Sequence, residues 1–234
     1  MAFTSEVQRG LDFIGKLRDE GGDSYYEVAE LDHTQRQIFP QTQYVLYVTF
    51  KKLGLTQLAE GIAGRHDFTQ PDKVDTTRKL RPANDTYCVL DGELKPFRLA
   101  GQKWSDYSDE MALEAIFWLE KSKSGLGKIL HRKKAEELWK QLRSRYDTSK
   151  GILKMDKADA GGKSPLYSVY KLALFGLLAK KVDDQGILAK VQQTLRDWQH
   201  KDGGWETDRT VELAPSGVAN LETTAFAILV LADP

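Results

Sequence analysis

The feature that most constrains the fold lies in the last forty residues, where Leu195-Arg-Asp-Trp-Gln-His-Lys-Asp-Gly-Gly-Trp205 runs through a polar loop into Asn220-Leu-Glu-Thr-Thr-Ala-Phe-Ala-Ile-Leu-Val-Leu-Ala232. An amphipathic helix, a Gly-Gly-Trp turn and a more apolar helix follow in order. Weaker copies of that order stand upstream. A recurring helix pair specifies a repeat architecture, in which each unit buries its apolar face against its neighbours.

Four segments combine helical periodicity with very apolar centres and are the expected inner helices: Gln41 to Leu53, Ser108 to Lys121, Ser164 to Lys181 and Asn220 to Ala232. Their start chemistry agrees with the periodicity: Pro40 and Thr42, Ser108 with Asp109 and Glu110, Ser164 with Pro165, and Asn220 with Glu222. An amphipathic outer helix is expected ahead of each. Val7 to Arg18, Lys133 to Arg145 and Gly186 to Gln199 fit, and the remaining one falls within Leu55 to Arg81, where Pro71, Pro82 and a polar run break the pattern into a loop or short helices. Only Thr86 to Leu90 and Ile152 to Met155 read as extended. The fold class predicted is therefore all-α, with about four helical hairpins in one domain over residues 1–234.

The connections correspond as well. Leu17-Arg-Asp-Glu-Gly-Gly22 with Tyr25 and Tyr26, Tyr146-Asp-Thr-Ser-Lys-Gly151 and Asp202-Gly-Gly-Trp205 occupy equivalent places, each followed by a long polar stretch. Loops of that kind, opening at one end of a repeat array, are where such proteins place a binding surface.

With these residues in view, the carboxyl-terminal half resembles the α/α-toroid superfamily of terpene cyclases, protein prenyltransferase β subunits and related helical-hairpin barrels. Gln199-His-Lys-Asp-Gly-Gly-Trp205 is similar to the family's Gln and Gly-x-Trp turn, and Asn220-Leu-Glu-Thr-Thr-Ala225 looks like the start of a family inner helix. The resemblance covers Leu195 to Ala232 best and Leu138 to Lys181 less closely. It implies an incomplete or small α/α toroid and carries little chemistry, because fold and function separate readily. The Asp-x-Asp-Asp acid motif of triterpene cyclases has only Val182-Asp183-Asp184 as a counterpart, after an inner helix. Asp85-Thr-Tyr-Cys88 has the wrong gap for a prenyltransferase zinc site, and the Gly-Cys-Gly-Glu-Gln of thioester members is absent.

Composition narrows the partners. The chain has 34 basic and 34 acidic residues, so no overall field would hold a polyanion, and neither nucleic acid nor a membrane is expected. The basic run around His131-Arg-Lys-Lys134 reads as a solvated helix face. A single cysteine, Cys88, excludes an internal disulfide, and no signal peptide or membrane span is evident, so a cytoplasmic protein is expected. The chain ends just after the last helix, at Asp233-Pro234, and a homodimer partner or parent polypeptide is expected to close the ring. No cofactor and no metal is assigned.

Candidate chemistry lies in the loops. Asp32 and His33 form an adjacent acid/base pair, joined as catalytic candidates by Asp85, Asp106 and Glu206. Tyr26, Trp104, Tyr107, Asp156, Tyr167, Trp205, Asp208 and Glu222 are the ligand-binding candidates. Aromatics with carboxylates at the mouth of a helical ring suit a small polar ligand, above all a carbohydrate, the rings stacking on sugar faces and the acids exchanging protons. The competing expectations are a non-catalytic interaction or ligand-binding module, and an isoprenoid cyclase or transferase using inner-helix aromatics such as Tyr44, Phe117 and Phe226.

Overall fold

The computed structural model describes residues 3–28, 38–66, 68, 90, 107–123, 127–156 and 165–232. Among the described residues the chain is mostly helical, with two small antiparallel sheets. In chain order the elements are α1 (Ser5–Lys16), α2 (Pro40–Lys52), α3 (Thr56–Arg65), α4 (Ser108–Ser122), α5 (Lys128–Arg145), β1 (Tyr146–Asp147), β2 (Ile152–Leu153), β3 (Tyr167–Ser168), α6 (Val169–Val182), α7 (Gln185–Asp197), β4 (Trp205–Arg209), β5 (Pro215–Asn220) and α8 (Leu221–Leu231).

All four expected inner helices are present as α2, α4, α6 and α8, and they pack in the order α4, α6, α8, α2. Their composition dictates this place. In α8 every residue except Glu222 is buried, which leaves no face for solvent. The outer helices are amphipathic: α1 buries Val7, Gly10, Phe13 and Ile14, and α7 buries Ile187, Leu188, Val191 and Leu195, both at helical spacing. Local caps fix their starts. Thr4 accepts from the Val7 amide at 3.4 Å, Asp184 from Ile187 at 3.1 Å and Asn220 from Thr223 at 2.9 Å.

The pairing of outer with inner helices differs from the expected one. Short connections, including Leu53 to Leu55 and Asp183-Asp184, fold each inner helix back against the outer helix that follows it, so α2 packs with α3, α4 with α5 and α6 with α7. The inner helix α8 is backed instead by α1, from the other end of the chain. That contact is close. A Cβ on Gly10 would lie 2.9 Å from Ile228 Cδ1, and one on Gly204 would lie 2.8 Å from the Phe13 ring. Gln199 Nε2 adds a hydrogen bond to the Glu6 carbonyl at 2.8 Å.

Two further expectations are corrected. The third inner helix begins at Val169 rather than Ser164, because Tyr167 and Ser168 are drawn into a strand opposite Arg209 and Asp208. The polar segment after Trp205 is a β-hairpin and not an irregular loop, so an all-α description holds only approximately: β4 pairs with β5 from Trp205↔Asn220 to Arg209↔Pro215, with a bulge between Glu206 and Asp208. Ile152–Leu153 is extended as expected, paired with Tyr146–Asp147. Most of Thr86 to Leu90 lies outside the described residues.

Candidate functional site

Contacts bring the amino-terminal ends of the four inner helices to one end of the row. β3 leads directly into α6 and β5 into α8, and both flank β4 in one sheet, so those two helix starts are neighbours. The start of α4 meets the start of α6 where the Tyr170 hydroxyl donates to Asp109 Oδ2 at 3.0 Å. The start of α2 meets that of α8 through the segment after α1. Gln43 brackets the Tyr25 backbone, accepting from its amide at 3.0 Å and donating to its carbonyl at 2.7 Å, and two residues on the Glu27 carbonyl accepts from the Leu221 amide at 2.9 Å.

Asp156 is the polar centre of the α4–α6 side. Its side chain is 1% exposed, yet it accepts from the Ser108 amide at 3.0 Å, the Ser108 hydroxyl at 2.6 Å, Arg145 at 3.1 Å and Lys171 at 2.8 Å. Burial alone would raise its pKa, but the hydrogen bonds from Lys171 and Ser108 outweigh it and hold the carboxyl below its ordinary value. Asp156 thus caps α4 from 48 residues away and stays ionised. Sequence reasoning named Asp156 and missed Lys171, although a lone charge inside Val169-Tyr-Lys-Leu-Ala-Leu-Phe175 is a signal that a partner exists.

Glu27 behaves oppositely. Its Oε1 accepts from the Glu222 amide at 3.3 Å, while Oε2 is buried with no hydrogen-bond partner among the described residues. Burial is the largest influence and raises its pKa, exceeding the lowering by the Thr42 side chain and the Glu222 amide. Ser168 Oγ and Asp109 Oδ1 are likewise buried and unmatched among the described residues at this same end. Nothing in the sequence around Glu27 distinguished it from an ordinary loop glutamate.

The other predicted residues divide. Tyr107 stands at the cap of α4, with Lys171 Nζ 5.9 Å from its ring centroid. Tyr167 and Asp208 lie in the β3–β4 pair, Tyr26 is half-buried beside Glu27, and Glu222 is in the first turn of α8. Trp205 does not line a site: it is 0% exposed, and its indole donates to the Leu195 carbonyl at 2.7 Å. Glu206 is buried in an ion pair with Arg209 at 3.0 Å, the guanidinium of which lies 5.1 Å from the Trp198 ring centroid. Asp32, His33, Asp85, Trp104 and Asp106 lie outside the described residues.

One nucleophile–base distance occurs here too. Ser24 Oγ lies 2.9 Å from His66 Nε2, but Ser24 is only 2% exposed, which leaves a substrate no approach to its oxygen. At the opposite end of the row a groove of about 750 Å³ is lined by Glu120, Lys123, Arg132, Glu136 and Lys181 among others. Its charges are internally compensated: Lys181 and Lys123 reach Glu120 at 2.6 and 2.7 Å, and Arg132 reaches Glu136 at 3.2 Å. Among the described residues no group of His, Cys, Asp and Glu is placed to hold a metal ion, and no helix is long and apolar enough to cross a membrane. Comparison with protein-family models, curated proteins and solved structures found no match to the chain.

Proposed function

We propose that the chain is a small α/α toroid of four helical hairpins that binds a small polar ligand of the carbohydrate class at the amino-terminal end of its inner helices. The observation that carries this reading is Glu27, a carboxyl that burial pushes toward its neutral form and whose Oε2 has no partner among the described residues. Such a group can donate as well as accept, as a ligand rich in hydroxyls requires. Tyr26 and Tyr107, both half-buried, bring aromatic rings to the same end.

An acid–base step at this end falls to Glu27 rather than to Asp156 or Glu206, whose charges are matched by Lys171 and Arg209. The isoprenoid reading is disfavoured by Phe50, Phe175 and Phe226, which are packed in the core instead of facing a void. The experiment is a thermal-shift screen of the chain and its E27Q variant against neutral saccharides, uronates and polyprenyl phosphates. A saccharide that raises the melting temperature of the parent chain and not of E27Q supports the reading. A shift with prenyl phosphate alone, or none with any compound, contradicts it.

A further inference from the structure

The end of the row opposite this site carries a different kind of surface. Residues 128–134, Lys-Ile-Leu-His-Arg-Lys-Lys, contain four Lys or Arg and no Asp or Glu, and of the four Arg132 is paired with Glu136, so the cancelled charge of the whole chain conceals a locally basic helix start. The first turn of α5 also leaves two aliphatic side chains in water, Ile129 at 87% and Leu130 at 57% exposure. Lys128, Arg132 and Lys133 surround them and are exposed. Aliphatic side chains this exposed on a helix tip gain nothing from solvent, and an apolar tip with a basic collar matches a surface that is anionic outside and hydrocarbon within.

We propose that the start of α5, from Lys128 to Lys133, forms a docking surface for an anionic lipid bilayer, with Ile129 and Leu130 entering the headgroup boundary and Lys128 and Lys133 meeting lipid phosphates and carboxylates. Charge argues against a second copy of the chain, since two such patches repel each other. Exposed Ile129 and Leu130 argue against nucleic acid, whose phosphate backbone offers them no apolar partner. Docking here leaves the inner-helix amino termini facing away from the bilayer, so this surface stands independently of the ligand reading above.

The test is co-sedimentation of the full chain with phosphatidylcholine vesicles and with vesicles holding about 30% phosphatidylserine. Binding is expected only to the anionic vesicles and weakens with added salt. A variant carrying Lys128→Ala and Lys133→Ala, both at exposed positions, loses about tenfold or more in affinity. A variant carrying Ile129→Ser and Leu130→Ser binds more weakly with its salt dependence retained, and circular dichroism confirms that both variants fold. Failure to sediment, equal sedimentation with both vesicles, or full binding by the serine variant overturns the proposal, the last outcome assigning the patch to soluble polyanions.

Discussion

The Asp156 carboxylate and the Lys171 ammonium sit 2.8 Å apart, both buried, and tie the segment after β2 to the first turn of α6. Lys171 stands in an otherwise apolar helix, and Asp156 would cost several kcal/mol to bury alone.

Removing one partner therefore exposes the desolvation cost of the other. Asp156→Ala removes the carboxylate that Lys171 and Arg145 meet and uncaps α4, and is expected to destabilise the chain by about 3–5 kcal/mol, a large share of the margin of an ordinary domain. Urea unfolding followed by circular dichroism measures it; a loss near zero shows that the pair is not formed.

The same carboxylate sets an acid limit. Its folded-state pKa lies below the ordinary 3.8, so folding favours the ionised form. That stabilisation is complete at neutral pH and is lost as pH falls below about 4 through the folded value. A stability profile of the parent chain against the D156A variant shows the two converging on acidification.

Glu27 gives the opposite slope. Its pKa is raised above the ordinary 4.5, so the folded state holds its proton over a range where the unfolded chain has released it, and stability declines as pH rises from about 4.5 through the folded value. Glu27→Gln is expected to remove that decline and to raise the melting temperature at neutral pH. A differential scanning series from pH 4 to 8 reads both; an unchanged slope in E27Q contradicts the assignment.

The seating of α1 against the segment before β4 depends on Gly203. Its φ is +99°, and a Cβ there would lie 2.2 Å from the Arg9 carbonyl oxygen, a backbone atom with no room to yield. Gly203→Ala is expected to cost about 2 kcal/mol or more and to loosen α1 specifically. Hydrogen exchange checks this: amides of α1 should lose protection before those of α4 and α6.

The helices were legible in the sequence because their information is periodic. Val169 to Val182 and Leu221 to Leu231 are apolar around most of their circumference and could only be inner helices. The β4–β5 hairpin was not legible, since Thr207 to Val218 lacks a clear alternation and pairs through backbone bonds that any polar sequence can make. Hairpin partners escaped for a related reason: periodicity marks a buried face without saying which neighbour covers it, and only the packing shows α1 behind α8. At the candidate site, Asp156 stood out as a ligand-binding candidate by its place in a repeated loop, and in the structure its carboxylate is taken up by Ser108, Arg145 and Lys171. Glu27 did not stand out, because its character comes from burial against Thr42 and Glu222, which are remote in sequence.

The most direct test of a polar ligand site at the inner-helix amino termini is a carbon-13 titration of the side-chain carboxyls, with and without saccharides from the thermal screen. The account predicts that Glu27 titrates above 4.5 and Asp156 below 3.8, and that a bound saccharide moves the Glu27 signal while leaving Glu120, at the far end of the row, in place. A Glu27 that titrates at or below 4.5 and is indifferent to every saccharide would contradict it.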